Sequence, residues 1–393
     1  MNGYKKTVVG MIPDDWEVKP IGDLVSISVG RDLKIENYST YQDDTYKYPV
    51  FSNTVANEGL YGFYNIYEYS GDSLTVVGRG IGLGTAFKRS GEYGAIGRLL
   101  VLFPVPRVDA DFLTEYINGK VRIFTESGGI PQLTGLSIAQ YRIPLPPTLA
   151  EQEAIAEAMS NSDALIESLE RLIAKKRHLK QGAMQKLLTP QDGWIERRLG
   201  STATLKARIG WQGLTTAEYL ETGDYFLVTG TDFEGGYIDW DHCPYVEESR
   251  YKQDQNIQLR QHDVLVTKDG TIGKVALVKH LDKPATLNSG VFVIRPIENS
   301  FHPDFLYYLL CSSVFSAFLA QLSAGSTINH LYQKDFVTFN FKTPDTLAEQ
   351  AVIAAILSDM DTEITALETK LTKSRALKQG MMHKLLTGQI RLI

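Results

Sequence analysis

Two stretches of the chain, Thr148 to Thr189 and Thr346 to Thr387, align without a gap at a constant offset of 198, and 23 of their 42 positions are identical. Identity of that density over that length requires an internal duplication, so whatever the chain folds into is built twice. The repeat extends upstream more weakly, with Trp16 and Gly22 matching Trp194 and Gly200 at an offset of 178. The difference between the offsets places 20 further residues in the second half between these landmarks. Each half is therefore a variable region led by a tryptophan and followed by a near-identical helical segment. Two copies of so long a period exclude a solenoid, whose units are far shorter. The chain divides into a variable domain over residues 1–147, a helical spacer over 148–189, a second variable domain over 190–345, and a second spacer with its tail over 346–393.

Both repeated segments open with Thr-Leu-Ala-Glu, so Thr148 and Thr346 can cap free amides while Glu151 and Glu349 reach back in a capping box. Prolines just upstream feed an extended chain into each cap. Ile155, Met159, Ser162, Ile166, Leu169 and Ile173 recur at alternating spacings of 4 and 3, as do Ile353, Leu357, Met360, Ile364, Leu367 and Leu371. That spacing predicts a coiled-coil seam. The first segment carries six acids and six bases and the second five of each, the balance of long solvated helices. Such helices are marginal alone, so the two copies are expected to pack on each other, antiparallel about a pseudo-twofold axis. Gly182 and Gly380 are expected to end or kink each long helix before a short one finishing in Leu-Leu-Thr.

The variable regions hold short apolar and aromatic runs punctuated by Gly, Asn and Asp, which predict many short strands. Each closes with a helical pattern and a last strand, YRIPLP or FVTFNF, giving two similar α+β domains with divergent surfaces. One uncharged run, Phe305 to Ala324, is long enough for a membrane helix, but its serines and its charged counterpart from Phe112 point to a helix packed on a domain. Each region also has a glycine turn between strands, at Val76 to Phe87 and at Leu265 to Leu277. Neither has the dinucleotide fingerprint, and a tight hairpin accounts for the glycines themselves. Arg79 and Lys268, at matching places on these turns, are candidates for phosphate or base contact. The aromatic stretch Tyr61 to Tyr69 could stack bases but reads more simply as strand alternation. Asp241, His242 and Cys243, and the pair His262 and Asp263, lack partners at any metal or nucleophile spacing.

With 393 residues, 43% hydrophobic and 22% charged, the chain has the composition of a globular protein of two or three domains, which excludes wholesale disorder and a multispan membrane protein. Two cysteines build no disulfide framework, the N-terminus has no signal-peptide core, and a cytoplasmic location is expected. Residues 1–147 carry 14 bases against 16 acids and residues 190–345 carry 14 against 19, net charges of −2 and −5. Any nucleic-acid contact must use locally clustered cations or charges from partner subunits.

IPDDWEVKPIG, IGRLLVLFP, IPLPPTLAEQ, GSTINHL and LLTGQIRLI, together with the repeated LAEQ starts and KQG-x-M-x-KLLT endings, closely resemble the specificity subunit of type I restriction-modification systems over essentially the whole chain. SGGIPQL at Ser127 and TFNFKTPDTLAEQ depart from the commoner forms in detail only. The resemblance implies a non-catalytic subunit in which each variable region is a target recognition domain reading one half of a split site in double-stranded DNA. It also implies assembly with two modification subunits, which bind S-adenosylmethionine and methylate adenine after base flipping, and two restriction subunits that use ATP and Mg²⁺. No cofactor, metal or catalytic residue of its own is expected. A helix from Glu151 to Lys180 spans about 45 Å, roughly 13 base pairs, which leaves about 5 to 8 unread pairs between half-sites.

The residues assigned to DNA contact are Ser52, Asn53, Arg79, Lys88, Arg89 and Arg98 in the first region. In the second they are Trp211, Gln212, Arg250, Lys252, Lys268, Asp269, Lys274 and Asn288. Those assigned to the partner-binding helices are Glu151, Gln152, Ile155, Ile166, Leu169 and Ile173, with Glu349, Gln350, Ile353, Ile364, Leu367 and Leu371. Two alternatives stand beside this reading: a subunit serving a methyltransferase without restriction partners, and a coiled-coil scaffold that binds proteins.

Overall fold

A computed structural model describes residues 3–121, 132–323 and 330–392, with the Trp211 side chain outside that description. Most of SGGIPQL and of GSTINHL falls outside it as well. The chain forms two compact units, one from residues 1–171 and 368–393, the other from residues 172–367.

In the first unit, strands Ala86–Arg89, Ser73–Val76, Leu100–Pro104 and Val25–Val29 lie in that order in an antiparallel sheet. Every residue of Ser73–Val76 is buried, as expected of an interior strand covered on both faces. A second sheet of five short strands includes Tyr48–Phe51 and Glu92–Ala95, which pair in parallel. The second unit repeats the first motif: Val275–Leu277, Val264–Thr267, Val291–Pro296 and Ala203–Lys206 occupy the same successive places within a six-stranded sheet. Each unit is α+β, with helices Ala110–Lys120 and Pro303–Leu310 contributing buried apolar residues.

The two sheets can be superposed by their register. Pro104 faces Val25 and Pro296 faces Ala203; four residues earlier, Leu100 faces Val76 and Phe292 faces Val266. Two residues beyond those partners stand Gly78 and Lys268. The amides of Leu133 and Leu331, themselves 198 apart, bond the carbonyls of Gly78 and Lys268, each at 2.8 Å. Lys268 thus corresponds to Gly78, and Arg79 corresponds to Asp269. The match of Arg79 with Lys268 expected from the sequence is therefore one residue out of register.

The uncharged run is two helices, Pro303–Leu310 and Ser313–Leu322, bent by 61°. Every side chain from Phe305 to Leu310 is buried in the unit's core, and among the described residues no single helix is long and apolar enough to cross a membrane.

The repeated segments are helices of 39 residues, Leu149–Leu187 and Leu347–Leu385. Each begins in one unit and ends in the other. In the first unit Asp163 pairs with Lys378 and Glu170 with Arg375; in the second Lys176 pairs with Glu363 and Lys180 with Asp361. In both, one number rises as the other falls, so the paired segments run antiparallel. Ile155, Met159, Leu169 and Ile173, and Ile353, Leu357, Ile364 and Leu371, are buried, with Ile166 and Leu367 half-buried. The predicted seam is therefore the inward face.

Two local expectations are corrected. Neither Gly182 nor Gly380 ends or kinks a helix: both lie inside it, because Met184, Leu187 and Leu188 beyond the first, and Met382, Leu385 and Leu386 beyond the second, pack into the cores. That burial outweighs the cost of about 1 kcal/mol for a helical glycine. The capping box is half formed: Thr148 and Thr346 accept the amides of Glu151 and Glu349, each at 3.2 Å. The Glu151 carboxylate turns instead to Arg391.

Candidate nucleic-acid interface

The first glycine turn is held from below by one side chain. Asn53 Oδ1 accepts the Gly78 amide at 2.7 Å, and its Nδ2 donates to the Gly97 carbonyl. Gly80 and Gly82 have φ of +80° and +84°, conformations that an L side chain rarely adopts, so the turn needs its glycines. Asn53, Arg79 and Arg98 are thereby gathered at one edge of the unit. Arg98 is exposed, Arg79 half-buried, and neither guanidinium has a hydrogen bond or ion pair among the described residues. Ser52 closes the same loop by donating its amide to the Gly59 carbonyl at 2.8 Å.

The other two first-unit candidates are otherwise engaged. Lys88 is paired with Asp111, whose hydrogen bond raises the ammonium pKa above its ordinary value. Arg89 is removed from the set: it is 6% exposed, donates Nε to Thr75 at 3.0 Å, and lies 3.6 Å from the Phe51 ring centroid. Burial pushes its pKa down to about 10, the mark of a structural arginine inside the domain.

In the second unit the turn is a tight hairpin, with the Thr267 and Lys274 amides and the Thr267 hydroxyl closing it at 2.9 Å. Lys268 is half-buried, with its ammonium 5.5 Å from the Phe292 ring centroid; Asp269 and Lys274 are exposed at the tip. Asp269 is bonded to His330, which stands at the position equivalent to Gln132, the residue bridged to Arg79 in the first unit. The same structural place therefore presents a guanidinium in one unit and a carboxylate with an imidazole in the other.

Asn288 is also removed from the set. It is 8% exposed, and its amide bonds both backbone groups of Leu214, the Ser289 amide and the Tyr219 hydroxyl at 2.7–3.1 Å, leaving no free donor. Arg250 is bonded to Glu218 at 2.5–2.9 Å and Lys252 to Glu248 at 2.6 Å, surface pairs that a phosphate could replace. Gln212 is half-buried in the single turn Gly210–Gln212; the Trp211 side chain lies outside the described residues.

The residues assigned to partner docking are corrected too, because most are consumed inside the chain. Gln152 is 1% exposed: its Nε2 donates to the Pro146 carbonyl at 3.1 Å, and its Oε1 accepts the Asp109 amide at 2.8 Å. Gln350 repeats this with Pro344 and the His302 amide, each at 2.8 Å. Glu151 is held by Arg391, and the isoleucines and leucines fill the seam. What stays exposed is a different stripe, Leu165, Leu172 and Leu179, with Leu377 at the position equivalent to Leu179. Its signal is legible as a second apolar heptad beside the seam.

The remaining constellations close. Asp263 forms a bidentate pair with Arg295 at 2.6 Å, His262 bonds Asp304 at 2.8 Å, and His242 bonds Asp239 at 2.6 Å. Burial pushes the Cys243 thiol up. Among the described residues no group of three His, Cys, Asp or Glu could hold a metal ion.

A repeated α+β unit carrying a variable polar turn, with one long helix shared between the repeats in each copy, defines a protein built as two equivalent domains. The family described as type I restriction modification DNA specificity domain matches residues 13–175 and 191–374, and the chain belongs to that family. It is a type I specificity subunit with two recognition domains. The chain is 26% identical to the type I restriction enzyme MjaVIII specificity subunit of Methanocaldococcus jannaschii, over 97% of this chain and 94% of that protein. It is 23% identical to the EcoBI specificity subunit of Escherichia coli, over 68% of this chain and 62% of that protein. Its fold is like that of the type I restriction-modification S subunit from M. genitalium, with a TM-score of 0.66, 17% identity, and coverage of 94% and 96%.

Proposed function

We propose that this chain reads a bipartite sequence in double-stranded DNA, one half-site per unit, and performs no chemistry itself. The observation that carries the reading is the exchange of Arg79 for Asp269 at equivalent places on a repeated sheet. An arginine suits the acceptor edge of guanine and a carboxylate suits an amine, so equal scaffolds would read unequal half-sites. Asn53, Ser52 and Arg98 join Arg79 in the first surface; Lys268, Lys274 and Gln212 join Asp269 in the second, with Arg250 and Lys252 toward phosphates.

The exposed leucine stripe is the docking face for two modification subunits, which supply S-adenosylmethionine and the methyl transfer. Two restriction subunits supply ATP, Mg²⁺ and cleavage, and the assembly works on DNA in the cytoplasm. As spacers, the helices would set a gap of about 5 to 8 unread base pairs. The partner subunits also supply the positive field that two acidic domains lack.

The test is to co-express the chain with its modification subunit and map N6-methyladenine by long-read sequencing. A split motif present only with this chain is expected. A stable complex that leaves contiguous or no methylated motifs would contradict the proposal.

A further inference from the structure

A pocket of about 400 Å³ opens in the first unit, lined in part by Arg31, Lys34, Tyr67, Glu68 and Tyr69. It is linked to the glycine turn by hydrogen bonds through the Asn53 side chain. The Arg31 carbonyl accepts the Gly97 amide at 2.8 Å, the Gly97 carbonyl accepts from Asn53, and Asn53 accepts the Gly78 amide. The pocket's chemistry is not that of a packing defect. Arg31 is exposed, and its guanidinium has no hydrogen bond or ion pair among the described residues. Tyr69 is fixed by stacking on Tyr93 at 5.5 Å, and Tyr67 by an edge contact with Tyr48 at 5.3 Å, so two aromatic walls are set in advance. Glu68 bonds Lys34 through Oε1 at 2.7 Å, while its Oε2 is buried without a hydrogen-bond partner. A buried carboxylate oxygen left unpaired is costly, and a donor arriving from outside would relieve that cost.

We propose that this pocket is a base-reading subsite of the first unit, in which Glu68 accepts a hydrogen bond from the exocyclic amine of a cytosine or adenine and Arg31 holds the adjoining phosphate. Carboxylate to amine is the pairing by which Asp and Glu select such a base, and arginine to phosphate positions without selecting. The ion pair with Lys34 fixes the orientation of Glu68, and the tyrosine faces wall the contact. The inference rests on the DNA-reading function and adds a specificity determinant that lies outside the glycine turn.

The experiment uses the complex of the full chain with its modification subunit, in three forms: wild type, Glu68→Gln and Arg31→Ala. Methylated motifs are mapped, and affinity is measured for duplexes carrying the wild-type motif and single-base variants. Glu68→Gln preserves shape and is expected to lower discrimination at one position of one half-site by about 5- to 150-fold, leaving the other half-site unchanged. Arg31→Ala is expected to weaken all duplexes alike and to flatten the salt dependence. An unchanged motif and unchanged discrimination in Glu68→Gln would overturn the proposal, reducing Glu68 to an internal partner of Lys34. If Glu68→Gln fails to assemble, unchanged affinity in Arg31→Ala overturns it alone. A wild-type complex with no split motif fails the DNA-reading function itself, an outcome distinct from an intact motif that ignores both substitutions.

Discussion

The two units carry copies of one helix start, and they close over it differently. In the first, Glu151 is 3% exposed and held by Arg391, whose guanidinium also bonds Asp15 at 2.9 and 3.0 Å and lies 5.8 Å from the Trp16 ring centroid. In the second, the equivalent Glu349 is exposed. The difference follows from chain connectivity. Beyond Leu187 the backbone runs on into Trp194 and strand Ile195–Arg198, so covalent continuity holds that corner. Beyond Leu385 side chains close the corner among the described residues, with Tyr4 donating to the Gly388 carbonyl at 3.1 Å and Arg391 clamping helix to N-terminal segment. A duplicated scaffold thus has one covalent seam and one ionic one.

The largest test of that contrast is Arg391→Ala, which leaves a buried carboxylate unpaired and is expected to cost about 3 kcal/mol, confined to the first unit. Hydrogen exchange would show faster amides around Asp15 and Glu151, with the second unit unchanged; equal acceleration in both would break the comparison. Gln152→Leu and Gln350→Leu probe what the units share, since each glutamine ties a helix start to its domain in the same way. Each is expected to cost about 2 kcal/mol, because backbone groups are left unsatisfied, and unequal losses in thermal unfolding would show the corners differ there too.

Acid sharpens the contrast further. The hydrogen bond and charge of Arg391 hold the Asp15 carboxyl below its ordinary value of 3.8. A lowered folded pKa means that the native state binds fewer protons, so this stabilisation is complete above that value and is lost as pH falls through the folded one. Asp15→Asn is expected to remove this acid-dependent part of the first unit's protection, read by hydrogen exchange around Glu151 as pH falls. The smallest effect is expected from Gly182→Ala and Gly380→Ala. A Cβ at either position meets nothing within 4 Å, so each should stabilise by about 0.5–1 kcal/mol in denaturant titration. Stabilisation of the free chain with loss of the modification complex would place a partner backbone against that glycine.

What could be read in the sequence were features of local period. The threonine caps, the seam and the α+β character of both regions follow from spacings within a few residues of each other, and the duplication from identity at one constant offset. What could not be read depends on pairing across long separations. Arg391 and Glu151 are 240 residues apart, and nothing near either announces the other. Arg89 and Lys88 are adjacent basic residues on one strand, yet one is buried against Phe51 and the other exposed; strand alternation makes them opposite, but only the sheet decides which side is inside. The turn register failed for a related reason, since glycines mark where a turn is and cross-strand pairing decides which residues correspond.

The central claim is that two equivalent units read two half-sites independently. The most direct measurement replaces residues 194–345 with the matching region of another member of the family and maps the methylated motif of the assembled complex. One half-site should change while the other half-site and the gap persist. A change in both halves together, in a complex that still assembles and methylates, would contradict it.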